Sequence, residues 1–290
     1  MEIRPSSTSA LNLGCLAELI AACFPSSSHL DERYLRWLYA GSPEGEVLGM
    51  DAWHEGRMVA HYACVPARAR IHGVERRVLL SVNTATHPAH QGKGLFTQLA
   101  EATYGLASAQ GFHAVYGVAN AQSTPGFVRK LGFTVLSPLD ARVGFGAIDE
   151  RPIEALQASA AFHRLWSPEA LRWRGANPHR PFRWHRPRTG TLAASAATGR
   201  WGIRAWAELP ETVIDRAMLS LASSVTPAHP WARLHLGLRP RAARHAARGW
   251  FDIPKALRPS PLNLIYCSLT GEAPPEPDAI FFDFLDFDAY

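Results

Sequence analysis

Two glycines one residue apart, Gly92 and Gly94, lie between an apolar, β-branched run and a long amphipathic stretch. This order predicts a strand, a tight loop and a helix, with unpaired backbone N–H groups at the positive end of the helix dipole. Such a helix N-terminus binds phosphate, and glycines let the oxygens approach the backbone. Lys93 adds a cation that could reach the ligand or remain in solvent. Residues 91–96 are therefore predicted to hold a diphosphate.

The glycine spacing separates this loop from two common phosphate-binding motifs. It contains no G-x-x-x-x-G-K-(S/T), and it lacks the three glycines of a dinucleotide-binding turn. Gly92 and Gly94 could also form only a tight strand-to-helix turn. The context favours phosphate, because His87-Pro88 precedes the glycines, and Asn120 and Leu131-Gly132-Phe133 follow the helix and the next strand.

The elements around the loop follow from the periodicity of apolar residues. Helical spacing predicts two N-terminal helices, over 11–22 and 31–40, and alternation then predicts an antiparallel meander of strands over 47–54, 57–65, 67–72 and 75–86. After the turn 87–92 we expect a helix over 93–110, a strand over 113–119, a short helix over 124–131 and a strand that opens with Phe133. This order predicts an α/β fold, a mixed sheet with helices on its faces.

With these elements in place, the sequence resembles the GNAT acyltransferase superfamily over about residues 45–140. The family signature runs V-x-P-x-x-(R/Q)-G-x-G-(I/L), with N and L-G-F some thirty to forty residues later. Here residues 86–95 read T-H-P-A-H-Q-G-K-G-L, and Asn120 and Leu131-Gly132-Phe133 follow. The resemblance implies direct transfer of an acyl group, most simply acetyl, from acyl-coenzyme A to a primary amine of a small or medium acceptor.

The resemblance also implies a role for individual residues. A backbone N–H near Thr86 would polarise the thioester carbonyl, with no covalent enzyme intermediate. Ser123 would approach the thiol end, and Asn120 would bind the pantetheine amide. The pantetheine arm would bond to the backbone of Thr84, Ala85 and Thr86, and the pyrophosphate to Gln91, Gly92, Lys93, Gly94, Leu95 and Phe96.

One departure from the family concerns the general acid. Many members place a tyrosine four residues before the glycine of L-G-F, and that position here is Val128. A thiol with a pKa of roughly 8.5 can leave without full protonation, so the departure puts the tyrosine in doubt and not the activity. The base is open among Asp51, His61, Asn83 acting through water, and His87, and no catalytic residue is assigned.

The length of 290 residues predicts two units. Residues 34–43 read against 170–178, and 129–135 against 246–252, in the same order. We interpret this as a duplicated fold, although such short matches also arise by chance. The predicted domains are 1–146, which binds acyl-coenzyme A, and 151–290, a degenerate GNAT-like lobe without Q-G-x-G that lines the acceptor cleft.

Composition limits the other classes of function. Hydrophobic residues make up 47% and charged residues 19%, which predicts globular units. The formal charge of +5 is mild, and the arginines are mixed with tryptophan, histidine and proline, so no nucleic-acid partner is expected. The four cysteines form no C-x-x-C pair and the histidines show no H-x-x-x-H spacing, so no metal site is expected.

Localisation and the competing functions complete the expectations. No apolar run is long enough for a membrane span and no signal segment is evident, so the cytoplasm is the default location. The oligomeric state stays unassigned. The main alternative is a non-catalytic protein that binds or senses acyl-coenzyme A, and a further one is a transferase that takes its acyl group from a charged RNA.

Overall fold

The structure is a computed structural model that describes residues 1–25, 27, 29–149, 151–186, 192–214, 223–224, 231–241, 249–258 and 260–288. The chain divides into two compact units. The first comprises Met1–Arg68, Arg76–Val135 and Ile265–Pro274, and the second comprises Ala69–Glu75, Leu136–Leu264 and Pro275–Tyr290. The predicted domains share most of their residues with these units, but 69–75, 136–146 and 265–274 lie in the other unit.

A mixed sheet forms the frame of the first unit. Its strand order is β1-β2-β3-β4-β5-β15-β6, and β3 also pairs with β8, whose residues belong to the second unit, as do residues 69–71 of β3. The strands β1, β2 and β3 are antiparallel, whereas β4 and β5 are parallel, as the predicted mixed sheet requires. The strands are β1 (Glu2–Pro5), β2 (Leu48–His54), β3 (Arg57–Ile71), β4 (Val74–Thr86), β5 (Ala114–Ala119), β6 (Thr134–Pro138), β8 (Phe162–Leu165) and β15 (Asn263–Ser268).

The helices of the first unit confirm the periodicity. The Ser9 side chain caps the first helix by accepting from Asn12 N–H, and Asp31 caps the second by accepting from Tyr34 N–H. The third helix packs Leu95, Leu99 and Thr103 inward. The bounds are α1 (Ala10–Cys23), α2 (Glu32–Ala40), α3 (Leu95–Ala109) and α4 (Thr124–Leu131), with a short 3₁₀ turn over Pro88–His90 before α3.

The meander differs from its prediction at Pro66, where we expected two strands, 57–65 and 67–72. The structure has one strand, β3. Its register with β2 ends at the pair Leu48 and Cys64. Pro66 lies beyond that pair, so its missing N–H removes no hydrogen bond to β2.

The strands β4 and β5 separate halfway along their length. Their parallel pairing covers Val78 with Ala114, Leu79 with Val115 and Leu80 with Tyr116, after which no register is shared. Further along β4, Asn83 has a positive φ of 47°. A left-handed residue interrupts the alternation of a strand, so side chains on its two sides do not keep the usual period of two.

The second unit contains its own mixed sheet, of order β12-β9-β10-β11-β13-β7-β14. Its α-helices, over the described residues, are α5 (Ile153–Ala158) and α6 (Pro168–Gly175), and α6 carries Trp173 as α2 carries Trp37. Residues 246–248, which match 129–131 at the end of α4 and predict a second short helix there, lie outside the described residues. The strands are β7 (Asp140–Gly144), β9 (Arg183–Arg186), β10 (Leu192–Ala197), β11 (Ile203–Leu209), β12 (Ser223–Ser224), β13 (Ala232–Gly237) and β14 (Trp250–Asp252).

The run 281–288 alternates imperfectly between aromatic and acidic residues, a pattern that predicts a final strand with one buried face. That prediction is wrong. Phe282 makes an isolated bridge to Leu238, and a 3₁₀ turn over Phe284–Asp286 follows. The reason is a capping box, in which Asp283 and Asp286 bond reciprocally through side chain and backbone, so the alternating aromatic residues are buried on a turn.

Candidate functional site

A cleft of about 360 Å³ opens in the first unit where β4 and β5 separate. Its walls come from β4, β5, the start of α4 and the end of α1. Several of its polar lining residues are among those predicted to meet the cofactor. The lining residues are Phe24, Ser81, Val82, Asn83, Thr84, Gly117, Val118, Asn120, Gln122, Ser123, Phe127 and Ile265.

The glycine loop leads into α3 beside this cleft. Gly92 and Gly94 both have a φ of 75°, the left-handed region that glycine adopts without strain, and Gly94 is the N-cap of α3. A Cβ at Gly92 would meet no atom within 4 Å. Phe96, in the first turn of α3, packs its ring 5.3 Å from that of Phe127, which lines the cleft. The loop and the cleft are thus neighbours.

The N-terminus of α3 differs from those of the capped helices. Side chains of Ser9, Asp31 and Ser167 cap α1, α2 and α6, whereas no side chain of a described residue caps α3. Within the described residues, the backbone N–H groups of 92–97 make no hydrogen bond, and the first α3 bond runs from Gln98 N–H to Gly94 O. These donors are free to bind an anion.

The residues before the glycines hold the loop to the end of β4. The His87 imidazole Nδ1 accepts from Ala89 N–H at 3.2 Å, and Gln91 Nε2 donates to Thr86 O at 3.2 Å. Lys93 is exposed, and its Nζ lies 3.4 Å from His90 Nδ1. His87 is therefore part of the loop's own scaffold, and it is not among the residues that line the cleft.

Asn120 and Ser123 lie together at the start of α4. The Asn120 Oδ1 atom accepts from the backbone N–H groups of Gln122 and Ser123, at 3.0 Å and 2.9 Å, and from Ser123 Oγ at 3.1 Å. This oxygen is occupied by the turn. The Nδ2 group of Asn120 makes no hydrogen bond to another described residue, so the nitrogen is the part of the amide that a ligand in the cleft can meet.

A buried chain of hydrogen bonds reaches the cleft from the side of α2. The Asp51 Oδ1 atom lies 2.6 Å from His61 Nδ1, His61 Nε2 lies 2.9 Å from the Tyr39 hydroxyl, and Asn83 Nδ2 donates to that hydroxyl at 3.3 Å. Tyr39, Asp51 and His61 are at most 1% exposed, whereas Asn83 is half-buried and lines the cleft. Three base candidates thus belong to one network, which Tyr39 completes.

The carboxylate end of this chain is held by further donors. Ser6 Oγ donates to Asp51 at 2.8 Å and Asn12 Nδ2 donates at 3.0 Å. Burial raises the pKa of Asp51, but the hydrogen bond and electrostatic interaction with His61, together with the hydrogen bonds from Asn12 and Ser6, outweigh it, and the net pKa lies below its ordinary value. Asp51 is therefore ionised at neutral pH.

A second chain, made of hydroxyl groups alone, reaches the cleft from the side of α3. The hydroxyls of Tyr62 and Tyr104 lie 2.6 Å apart, and Tyr62 donates to Ser81 Oγ at 3.1 Å. Burial raises the pKa of both phenols, so they stay protonated. Val128 brings no acidic group, and its side chain is exposed on α4.

The predicted residues thus divide into those that line the cleft and those that do not. Thr84, Asn120 and Ser123 line it, with Gly92–Phe96 beside it, whereas Ala85 is buried. Sequence reasoning missed Tyr39 and Ser81. The apolar spacing of α2 gave a weak signal for Tyr39, which is buried on the same face as Leu35 and Leu38.

Two further searches concern metal sites and membrane spans. Over the part of the chain that the structure describes, no three histidine, cysteine or acidic side chains gather as metal ligands would. Among the same residues, none of the helices combines the length and the apolar character needed to cross a bilayer.

Comparison with known proteins identifies the first unit. Residues 5–136 match the model of a protein family described as an acetyltransferase (GNAT) domain. No curated protein matches the sequence.

Solved structures resemble the chain over most of its length. A GCN5-related N-acetyltransferase from Anabaena variabilis is 12% identical with a TM-score of 0.56, and covers 92% of this chain and 73% of its own. Eis1 from Mycobacterium abscessus is 14% identical with a TM-score of 0.54, covering 93% and 74%. A probable N-acyltransferase from Enterococcus faecalis is 10% identical with a TM-score of 0.54, covering 93% and 73%.

At these identities the solved structures establish the fold, and the family match adds the type of domain. The glycine loop, the separated strands and the L-G-F turn all fall inside the matched segment. Residues 5–136 of this chain therefore form a GNAT acetyltransferase domain of mixed α/β fold.

Proposed function

We propose that the first unit transfers an acyl group, most simply acetyl, from acyl-coenzyme A to a primary amine of a small or medium acceptor. The observation that carries the proposal is the N-terminus of α3, whose N–H groups at 92–97 have no partner among the described residues and lie beside the cleft. A diphosphate suits these donors because each bond to a charged oxygen contributes more than a neutral bond does.

The same geometry supports a position in the cleft for the rest of the cofactor. Where β4 leaves β5, the backbone around Thr84 to Thr86 is no longer paired with β5, so it can pair with the amides of a pantetheine arm. Asn120 offers its Nδ2 group to the same arm, and Ser123 lies one turn further along the wall. These assignments follow the predicted cofactor residues, and the binding experiment below tests them.

The reaction needs no covalent intermediate on the protein. The neutral amine attacks the thioester carbonyl carbon, the new C–N bond forms as the C–S bond breaks, and the proton that the nitrogen loses reaches the thiolate or water. The cleft contributes by holding both reactants in contact. A backbone N–H near Thr86 would stabilise the charge that develops on the carbonyl oxygen.

The test compares glycines of identical conformation at the two ends of α3. Gly111, like Gly92 and Gly94, has a φ of 75°, and a Cβ would meet no atom within 4 Å at either Gly92 or Gly111. Gly92→Val should raise the calorimetric Kd for coenzyme A about tenfold or more, because a side chain there excludes the phosphate and its bonds to backbone N–H groups. Gly94→Val should act in the same direction.

Gly111→Val is the matched control, since it introduces the same strain of about 1–2 kcal/mol away from the loop. Its Kd for coenzyme A should stay within about twofold of the unmodified protein, a difference of well under 1 kcal/mol. Equal affinities for all three valine variants would refute the phosphate site.

The position of Val128 favours a second candidate, a non-catalytic protein that binds or senses acyl-coenzyme A. The side chain at this position is exposed and carries no acid. Thiol release from acetyl-coenzyme A in the presence of amine panels separates the two functions. Tight cofactor binding with no thiol release on any amine would favour the sensor.

We also propose that the second unit is a degenerate copy of the first. Both contain a mixed sheet, and α6 carries Trp173 at the position that corresponds to Trp37 in α2. Its proposed role is to select the amine that reacts. Exchange of residues in the second unit should then change which amines react without changing the affinity for coenzyme A.

A further inference from the structure

The buried chain of hydrogen bonds from Asp51 to Asn83 has a fixed order of donors and acceptors, because it begins at an anion. Asp51 accepts from Ser6, Asn12 and His61, and an ionised carboxylate has no proton to donate. His61 must therefore carry its proton on Nδ1. The Tyr39 oxygen accepts from Asn83 Nδ2, so the phenol proton is available to Nε2, which fits an imidazole with its proton on Nδ1 and a lone pair on Nε2.

The same logic passes through Tyr39 to Asn83. The Tyr39 hydroxyl lies 2.9 Å from His61 Nε2 and donates its one proton there, so toward Asn83 its oxygen acts as an acceptor. Asn83 must then present Nδ2, which lies 3.3 Å from the hydroxyl. The carbonyl oxygen Oδ1 of the amide is thereby turned away from the chain.

Two further observations concern the position of this oxygen beside the cleft. Asn83 lines the cleft, and its Oδ1 atom makes no hydrogen bond to another described residue. The positive φ of 47° at Asn83 interrupts the alternation of side chains along β4. Ser81 contacts Tyr62, whereas Asn83, two residues later, contacts Tyr39. Tyr62 and His61 are neighbours on β3 and point to opposite faces, so the left-handed residue turns Asn83 to the α2 face.

We propose that Asn83 Oδ1 accepts a hydrogen bond from the amine of the acceptor, and that Asp51, His61 and Tyr39 are positioning residues that fix the direction of the Asn83 amide. The assignment rests on the proposed acyl transfer. An acceptor oxygen suits an amine, because it binds an N–H group and leaves the nitrogen lone pair for the thioester carbon. The buried members of the chain do not touch the substrate.

The chain predicts an unusual effect of a nearly isosteric change. In Asp51→Asn the new amide can donate to His61 Nδ1, which moves the imidazole proton to Nε2. Tyr39 would then accept from His61 and donate to Asn83, and the Asn83 amide would turn its NH₂ group into the cleft. A donor would face the donor of the substrate, with little change in the shape of the protein.

The direction of the chain can be measured without any substrate. Long-range ¹H–¹⁵N spectra of protein labelled with ¹⁵N-histidine report which imidazole nitrogen carries the proton. We expect the Nδ1–H form for His61 in the unmodified protein and the Nε2–H form in Asp51→Asn. An Nε2–H form in the unmodified protein would overturn the proposal.

Kinetics then test the role of the oxygen. Asn83→Gly keeps the positive φ but removes the amide, and Tyr39→Phe removes only the link to it. Both should lower kcat/KM for the amine about tenfold or more, mainly through KM, while the Kd for coenzyme A stays within about twofold. Tyr34→Phe, which removes a hydroxyl from the same helix as Tyr39→Phe, is the matched control. It should leave kcat/KM, KM and the Kd for coenzyme A unchanged.

The spectra and the kinetics together distinguish failure of the proposed function from failure of the inference about Asn83. An unmodified protein that binds coenzyme A but acylates no amine would refute both the proposed function and the role of Oδ1, while the spectra still decide the direction of the chain. Turnover that is unchanged in Asn83→Gly would leave the proposed function standing and overturn the inference alone.

Discussion

Both units bury charged side chains, but the two networks end differently. In the first unit the bonds that start at Asp51 lead through two side chains to Asn83, which lines the cleft. In the second unit Arg239 donates to Asp149 at 2.8 Å, to Asp283 at 3.2 Å and to backbone carbonyls. Within the described residues, these partners of Arg239 are carboxylates and backbone carbonyls of the second unit itself. The difference indicates that a closed network holds structure together, whereas an open-ended one presents an atom to a ligand.

The largest effect is expected from breaking the closed cluster. Arg239 is 3% exposed, and Arg239→Ala would leave Asp149 and Asp283 buried without their cation. We expect a loss of about 3–5 kcal/mol in the free energy of unfolding by urea. Arg241→Ala is the control, since its pair with Asp278 is exposed and should contribute at most about 1 kcal/mol. Similar losses in both variants would contradict the closed-cluster account.

An intermediate effect concerns the pH dependence of the second unit. Burial, followed by the neighbouring charge of Asp283, raises the pKa of Asp286 to about 7, against the hydrogen bonds from Asp283 N–H and Trp166 and the charge of Arg164. A raised carboxyl pKa means that the folded protein binds the extra proton. The contribution of Asp286 to stability should therefore grow, on the order of 1–3 kcal/mol, as pH falls from 8 to 5.

The measurement compares urea unfolding of the unmodified protein with Asp286→Asn at several pH values. The amide cannot take up the proton, so the stability difference between the two proteins should shift with pH in favour of the unmodified one as pH falls. Parallel pH profiles would show that Asp286 is ionised throughout this range.

The smallest pH-dependent effect on stability should appear at Asp51, whose contribution should decrease, and not grow, as pH falls. Its pKa in the folded protein lies below the ordinary value of 3.8, so its ionised form contributes stability that is fully present above that value. This contribution should be lost only as pH falls through the lowered pKa. The difference in unfolding free energy between the unmodified protein and Asp51→Asn should stay constant from pH 7 to pH 5 and shrink below pH 4.

Most of the first unit could be predicted from the sequence because its signals are local. The glycines at 92 and 94, the caps at Ser9 and Asp31, and the periodicity of α3 each act within a few residues. The predictions at Pro66 and over 281–288 were wrong for the same reason. Whether a proline lacks a needed bond, or an aromatic run is extended, depends on partners distant in sequence.

The network behind Asn83 could not be predicted, because a single irregularity decides it. Counting outward from the turn at Glu55-Gly56 pairs Asp51 with Ala60, yet the structure pairs it with His61. A register shift between Ala52 and Trp53 makes the difference. Asp51 and His61 were both base candidates, but only the shifted register brings the carboxylate to the imidazole and so gives the chain its direction.

The path of β15 has a practical consequence for anyone dividing this protein into parts. This strand, over Asn263–Ser268, lies between β5 and β6, which precede it by more than a hundred positions in the sequence. A gene cut after codon 146 would remove it, exposing the edges of β5 and β6 and deleting Ile265, a member of the main core and of the cleft wall. We expect such a fragment to aggregate, so tests of the transferase require the full chain.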